Sequence, residues 1–151
     1  MFNKKKRKNR DNLTPEESRK VLGDNLSFAA AEAYKLLRTN LNFSLPEVEG
    51  CKIIGVTSAL HEEGKSTTAI NLSYVLAEKG SKVLLIDGAL RIPSVAKKMD
   101  IQSSPGLTDL LRGKGAQISE FQSPLLSNWF ILPSGDIPPN PSELLGSDRM
   151  A

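Results

Sequence analysis

Apolar and polar positions divide the chain into short, separately readable segments. Residues 1–24 are dominated by polar and charged side chains; Thr14-Pro15-Glu16-Glu17 suits a single helical turn, with Thr14 as N-cap and Pro15 at the first helical position. Gly23-Asp24-Asn25 breaks the chain. From Ser27 to Phe43 the pattern predicts a helix, with Phe28, Ala31, Leu36, Leu37 and Leu41 on a shared face and a run of alanines favouring it. Pro46 to Gly50 reads as a turn. Ile53 to Val56 is a β-branched apolar run containing one Gly, the composition of a buried strand. Ala69, Ile70, Leu72, Val75 and Leu76 then take helical spacing, and Gly80 ends that helix. Val83 to Ile86 reads as a second buried strand.

Strand, helix, strand in this order is a βαβ unit. It predicts a parallel pair joined by a right-handed crossover. Asp87 falls at the carboxyl end of the second strand, the edge at which open α/β sheets bind ligands; the plainer reading is a strand-ending turn residue. Further on, Ser94 to Met99 and Leu107 to Leu111 suit short helices, the latter ended at Gly113. Trp129 to Leu132 reads as a third strand, and Pro141-Ser-Glu-Leu-Leu opens a last helix. No internal repeat is visible.

The loop between the first strand and its helix carries the chemistry. It ends in Gly64-Lys65-Ser66-Thr67, in the strand–loop–helix context that a phosphate-binding loop requires. Unpaired backbone N–H groups and the helix dipole make the start of a helix a site for anions. Lys65 would reach the outer phosphates and the Ser66 hydroxyl would ligate Mg²⁺. Ala59 stands where the plain signature has its first Gly, and Glu62 and Glu63 bring two carboxylates to the site. Like charge weakens phosphate binding unless those side chains turn away. His61 has no Cys or His nearby and reads as a loop residue.

Charge changes the picture at one end only. The net charge is +3, yet Lys4, Lys5, Lys6, Arg7, Lys8 and Arg10 crowd the first ten residues without an acid, so the rest of the chain is acidic. Such a tail solubilises, or is drawn to an anionic membrane surface at about 1 kcal/mol per basic residue. Nucleic acid is disfavoured, because interleaved aromatics for base stacking are missing. There is no apolar run of membrane-spanning length and no apolar core behind the basic start, so neither a transmembrane helix nor a secretory signal is expected. Cys51 is the lone cysteine, which excludes a disulfide framework and fits an intracellular compartment. Within the first long helix, Glu32, Lys35 and Arg38 recur every three residues as a charged stripe. It is either a solvated face or a subunit contact.

Taken together these segments resemble the cytoplasmic kinase domain of bacterial tyrosine kinases, the P-loop kinases that govern capsule and exopolysaccharide synthesis. Glu32-Ala-Tyr-Lys35-Leu-Leu-Arg38 resembles the family's oligomerisation helix, Glu-x2-Arg-x2-Arg, with Lys35 in the first Arg position. Residues 57–67 resemble its Walker A segment. Leu84-Leu-Ile-Asp87-Gly-Ala89-Leu-Arg91-Ile-Pro93 resembles its Walker A′ segment. Gly106-Leu-Thr-Asp-Leu-Leu and the stretch from Leu132 to Leu145 are also typical of the family. The resemblance covers roughly residues 26–150, with residues 1–25 as a flexible basic tail and 26–151 as the N-terminal portion of the kinase domain.

The resemblance implies an α/β, P-loop NTPase-like, doubly wound parallel sheet, incomplete in this chain. It implies ATP and Mg²⁺ as cofactors, phosphotransfer to protein tyrosine, homo-oligomers, a transmembrane activator of polysaccharide export as partner, and a place at the inner face of the plasma membrane. By the same resemblance Lys65, Asp87 and Arg91 are catalytic, Glu63 to Thr67 bind nucleotide, Ser66 and Asp87 hold the metal, and Glu32, Lys35 and Arg38 serve oligomerisation. The departures are Ala89 in place of the second Walker A′ aspartate, Glu62 in place of a Gly, the stop at Ala151 ahead of the Walker B strand, and the want of a C-terminal tyrosine cluster. They predict an impaired kinase. The alternatives are a non-catalytic scaffold of the same family and a ParA/MinD-like ATPase; the latter is disfavoured because no second lysine precedes Gly64.

Overall fold

The computed structural model describes residues 26–46 and 50–150. The tail and the Thr14 turn expected within residues 1–25 lie outside the described residues. Ser27 opens helix α1 (Phe28–Ser44), its hydroxyl accepting the Ala30 N–H at 3.3 Å. Helix α2 (Lys65–Glu78) follows the phosphate-type loop and ends ahead of Gly80, whose φ of +103° only Gly adopts without cost. Then come strand β1 (Val83–Ile86), short helices α3 (Val95–Met99) and α4 (Leu107–Leu111), a 3₁₀ turn at Ile118–Phe121, strand β2 (Trp129–Leu132) and helix α5 (Pro141–Leu145). The 3₁₀ turn has no counterpart in the sequence reading.

β1 and β2 pair in parallel, Val83 opposite Trp129 and Ile86 opposite Leu132. β2 is buried along its whole length because both its faces are covered. Trp129 and Ile131 join Ile70, Ala77, Leu85 and Val95 in one core cluster; Leu132 joins Leu90, Leu107, Leu111 and Phe121 in a second. The fully buried Trp129 indole donates to Ser73 Oγ at 3.1 Å and meets the Tyr74 ring edge-on at 5.5 Å. Asn128 Nδ2 reaches both Ala77 O and Ser81 O at 2.7 Å, closing the α2–β1 turn onto the start of β2. The architecture is mixed α/β around a parallel sheet.

Two expectations are corrected. Ile53 to Val56 joins no ladder, and Ile53 is 93% exposed. Among the described residues no strand lies beside it, so the predicted parallel pair with Val83–Ile86 does not form; β1 pairs with β2 instead. β1 itself is only half covered, Leu85 facing the core while Leu84 and Ile86 are exposed. The second correction concerns α1. Its half-buried positions are Ala30, Ala31, Tyr34, Lys35, Arg38 and Leu41, continued by Leu45 at the C-cap, on the side that packs on α2. Phe28, Leu36 and Phe43 point out, so the expected shared face is split. The rotation is fixed by Arg38, whose Nη1 donates to Val75 O at 2.8 Å.

The turn after β2 receives the start of α4. Leu107 N donates to Pro133 O at 2.8 Å, Thr108 N to Ser134 O at 2.9 Å, and Gly135 N to Ser103 O at 3.0 Å. Buried Asp109 holds the junction: its Oδ2 accepts from Gly106 N and Ser104 Oγ, and its Oδ1 from Lys114 Nζ at 2.8 Å. The Lys114 ammonium, with the Gly106 N–H and Ser104 hydroxyl, holds the Asp109 carboxyl below its usual range against the opposing effect of burial. A depressed folded-state value contributes stability above the unfolded value, about 3.9, and that contribution is lost as pH falls through the lower folded value. Asp109→Ala should therefore cost about 2–4 kcal/mol at neutral pH, leaving a buried amide and a hydroxyl unpaired, and should flatten the acid side of the stability profile. Urea melts at pH 7 and pH 3 check both; an unchanged acid slope would remove Asp109 from this role.

Candidate nucleotide-binding site

The turn into α2 is built on positive φ. Gly64 stands at +93° immediately before Lys65, and Glu62 at +61°, a conformation that costs a residue with a Cβ about 1 kcal/mol. That is the position where the resemblance expects Gly. The backbone N–H groups of the first turn of α2 open at this point, and Thr68 N closes the first intrahelical bond to Gly64 O at 2.8 Å.

Lys65 folds back across the loop, Nζ donating to Ser58 Oγ at 2.7 Å and to Leu60 O at 2.8 Å. Glu63 turns the same way. Its Oε2 accepts the Leu60 N–H at 3.1 Å. That bond, aided by Ser58 and, less, by the Lys65 charge, lowers the carboxyl below its ordinary range against the opposing effect of desolvation. The carboxylate thus satisfies a loop amide. Glu62 and His61 are exposed.

The buried Asp87 sits just past β1. Its Oδ1 accepts from Ala89 N at 3.1 Å; its Oδ2 accepts from Ser94 N at 3.3 Å and Val95 N at 3.1 Å. Ser94 Oγ lies 2.8 Å from Ser66 Oγ. Ser94 therefore joins the two expected metal ligands, its amide on Asp87 and its hydroxyl on Ser66. A serine hydroxyl and one carboxylate are hard oxygen donors, the set Mg²⁺ takes when phosphates and water complete its octahedron. Among the described residues no cluster of three or more His, Cys, Asp or Glu could hold a metal by itself. The donors present fit Mg²⁺.

Other expected residues make contacts of their own, outside this group. Arg91 is exposed and donates to Ser142 Oγ at 3.3 Å, toward α5. Glu32 and Lys35 pair with each other along α1 at 3.0 Å. Thr67 has its carbonyl engaged by Asn71 Nδ2 at 2.8 Å. The sequence reading missed Ser58 and Ser94. Ser58 lies within the Walker-A-like stretch and its Lys65 bond was open to inference; nothing local marks Ser94.

No protein-family model matches the chain. It is 42% identical to the tyrosine-protein kinase YwqD of Bacillus subtilis over 80% of its own length and 50% of that protein. It is 35% identical to the tyrosine-protein kinase wzc of Salmonella typhi, again over 80% of this chain but 17% of the relative. Among solved structures, the kinase domain of the Escherichia coli tyrosine kinase ETK matches 98% of this chain and 56% of its own at 32% identity, with a TM-score of 0.77. The chimerical protein CapA2B2 matches at 34% identity and a TM-score of 0.71. The chain thus spans half or less of the curated relatives described above.

Proposed function

We propose, from the premise that this chain belongs to the bacterial tyrosine-kinase family, that it binds ATP with Mg²⁺ at the α2 N-terminus and transfers the γ-phosphoryl group to protein tyrosine. The arrangement of Lys65, Ser66 and Asp87 around one loop carries this reading. Phosphoryl transfer asks mainly for positioning and charge neutralisation. Lys65 would exchange Ser58 and Leu60 O for phosphate oxygens. Glu63 would stay on Leu60 N, clear of the phosphates. Ser66 and Asp87 would hold Mg²⁺, which neutralises phosphate charge. The Asp87 Oδ1 keeps a lone pair for the metal or for an incoming tyrosine proton, since one amide alone binds it.

Ala89 contributes only its backbone N–H to this site. A missing carboxylate near transition-state charge costs roughly 10²–10³ in rate, so the transfer should be slow. α1 would supply the homo-oligomer contact, with the Glu32–Lys35 pair and the exposed Phe28, Leu36 and Phe43 facing a neighbour while Arg38 anchors the helix to α2. By family analogy the partner is a transmembrane activator and the setting is capsule or exopolysaccharide synthesis at the inner membrane face. Among the described residues no helix is long and apolar enough to cross a membrane. The exposed apolar positions of α1, together with Ala89, favour a non-catalytic scaffold as the second reading.

Calorimetric titration with ATP and Mg²⁺, followed by phosphotyrosine detection, tests the proposal. Micromolar binding with slow tyrosine labelling, raised about 10²-fold by Ala89→Asp, is expected. Binding without labelling in both forms leaves the scaffold; absence of binding refutes the nucleotide site.

A further inference from the structure

Resting on the nucleotide-site reading, we propose that Ser94 is a positioning residue for the metal-binding hydroxyl of Ser66, and through it ties that hydroxyl to Asp87. The observation is a chain of contacts between residues far apart in sequence. Ser66 Oγ and Ser94 Oγ are 2.8 Å apart across 28 positions, and Ser94 N meets Asp87 Oδ2 at 3.3 Å.

The chemistry follows from what a hydroxyl carries: one donor and two acceptor lone pairs. When Ser66 turns a lone pair to a cation, its proton must be donated elsewhere or repel the metal. In this structure Ser94 Oγ donates to Ser66 Oγ; with a cation on Ser66 the two hydroxyls exchange roles, and Ser94 Oγ is the acceptor within reach. The same bond sets the rotamer of Ser66, because a side chain free to turn about χ1 would spend most of its time aimed away from the cation. Ser94 is half-buried at the N-cap of α3, and its amide is pinned to Asp87. Its hydroxyl is therefore delivered by a fixed piece of backbone. A movement of Asp87 would be felt at Ser66 through this one residue. Outer-shell partners of this kind commonly change metal affinity by 10–100-fold when removed.

Ser94→Ala deletes the hydroxyl and keeps the amide on Asp87, so Asp87 stays capped. ATP affinity is measured over a series of Mg²⁺ concentrations and in EDTA. The expected result is Mg²⁺-free affinity within about twofold of the unmodified chain, with about tenfold more Mg²⁺ needed for half of the metal-dependent gain. Ser94→Thr, which retains the hydroxyl, should restore the Mg²⁺ requirement. In a Ser66→Ala background Ser94→Ala should add no further penalty, since the two act as one unit. An unchanged Mg²⁺ requirement in Ser94→Ala overturns the inference alone. So does an equal loss of Mg²⁺-free binding and thermal stability, which would mark a structural role. If the unmodified chain shows no Mg²⁺-dependent binding, the site reading itself falls, and this inference with it.

Discussion

Lys65→Met is expected to abolish measurable ATP binding in the micromolar range. The ammonium is the strongest positive charge at the loop mouth, and its present partners, Ser58 Oγ and Leu60 O, are neutral groups that a phosphate outcompetes. Removing one partner of a desolvated, hydrogen-bonded charge pair costs about 2–5 kcal/mol, or at least about thirtyfold in affinity. Met preserves the length and apolar stem, so the change isolates the charge. The substitution should leave thermal stability within about 1 kcal/mol, because Lys65 is half-buried and bonds only neutral groups of the loop. Calorimetry and a melting curve on the same preparation separate the two effects. Binding at undiminished affinity would move the phosphate site elsewhere.

Gly106→Ala should cost about 3 kcal/mol and roughly 10 °C in melting temperature. The backbone φ at Gly106, −154°, suits any residue, so the argument is steric. A Cβ there would collide with Gly135 N and come within 2.5 Å of Pro133 O and 2.6 Å of Gly135 Cα. These are backbone atoms of the turn that receives α4. Neither side can swing away, and the Asp109 junction and the second core cluster would shift together. Gly115→Ala is the matched control, since open space surrounds it; it should stay within about 0.5 kcal/mol. Equal melting curves for the two variants would contradict the packing described.

Much of this fold was legible because the chain punctuates itself. Val83–Ile86, Leu107–Leu111 and Trp129–Leu132 were bounded as read, each framed by Gly, Pro, Ser or Asn. Glu62 was also legible: a residue standing where Gly is expected does take positive φ. What failed was what sequence does not carry locally. The β-branched run at Ile53–Val56 has a strand's composition, but a ladder needs a partner, and pairing is non-local. Helical periodicity gave the stripe of Glu32, Lys35 and Arg38; it could not say that Arg38 turns to the Val75 carbonyl. Like-charge reasoning asked the Glu62 and Glu63 side chains to turn away; that the Leu60 amide is what captures Glu63 has no local signal. Ser94 carries no local signal, and only the fold brings it to Ser66.

The unpaired run before the loop has a dynamic consequence. Among the described residues, no backbone hydrogen bond reaches residues 53–57, whereas β1 is laddered to β2 and α2 is closed turn by turn. Amide deuterium uptake should therefore be abrupt at this boundary: fast through 53–57, slow from Thr68 onward. The phosphate loop hangs between a free strap and a fixed helix. Any chain that lays a strand along 53–57 would slow that uptake and, by ordering one end of the loop in advance, lower the entropic cost of seating a nucleotide on the other.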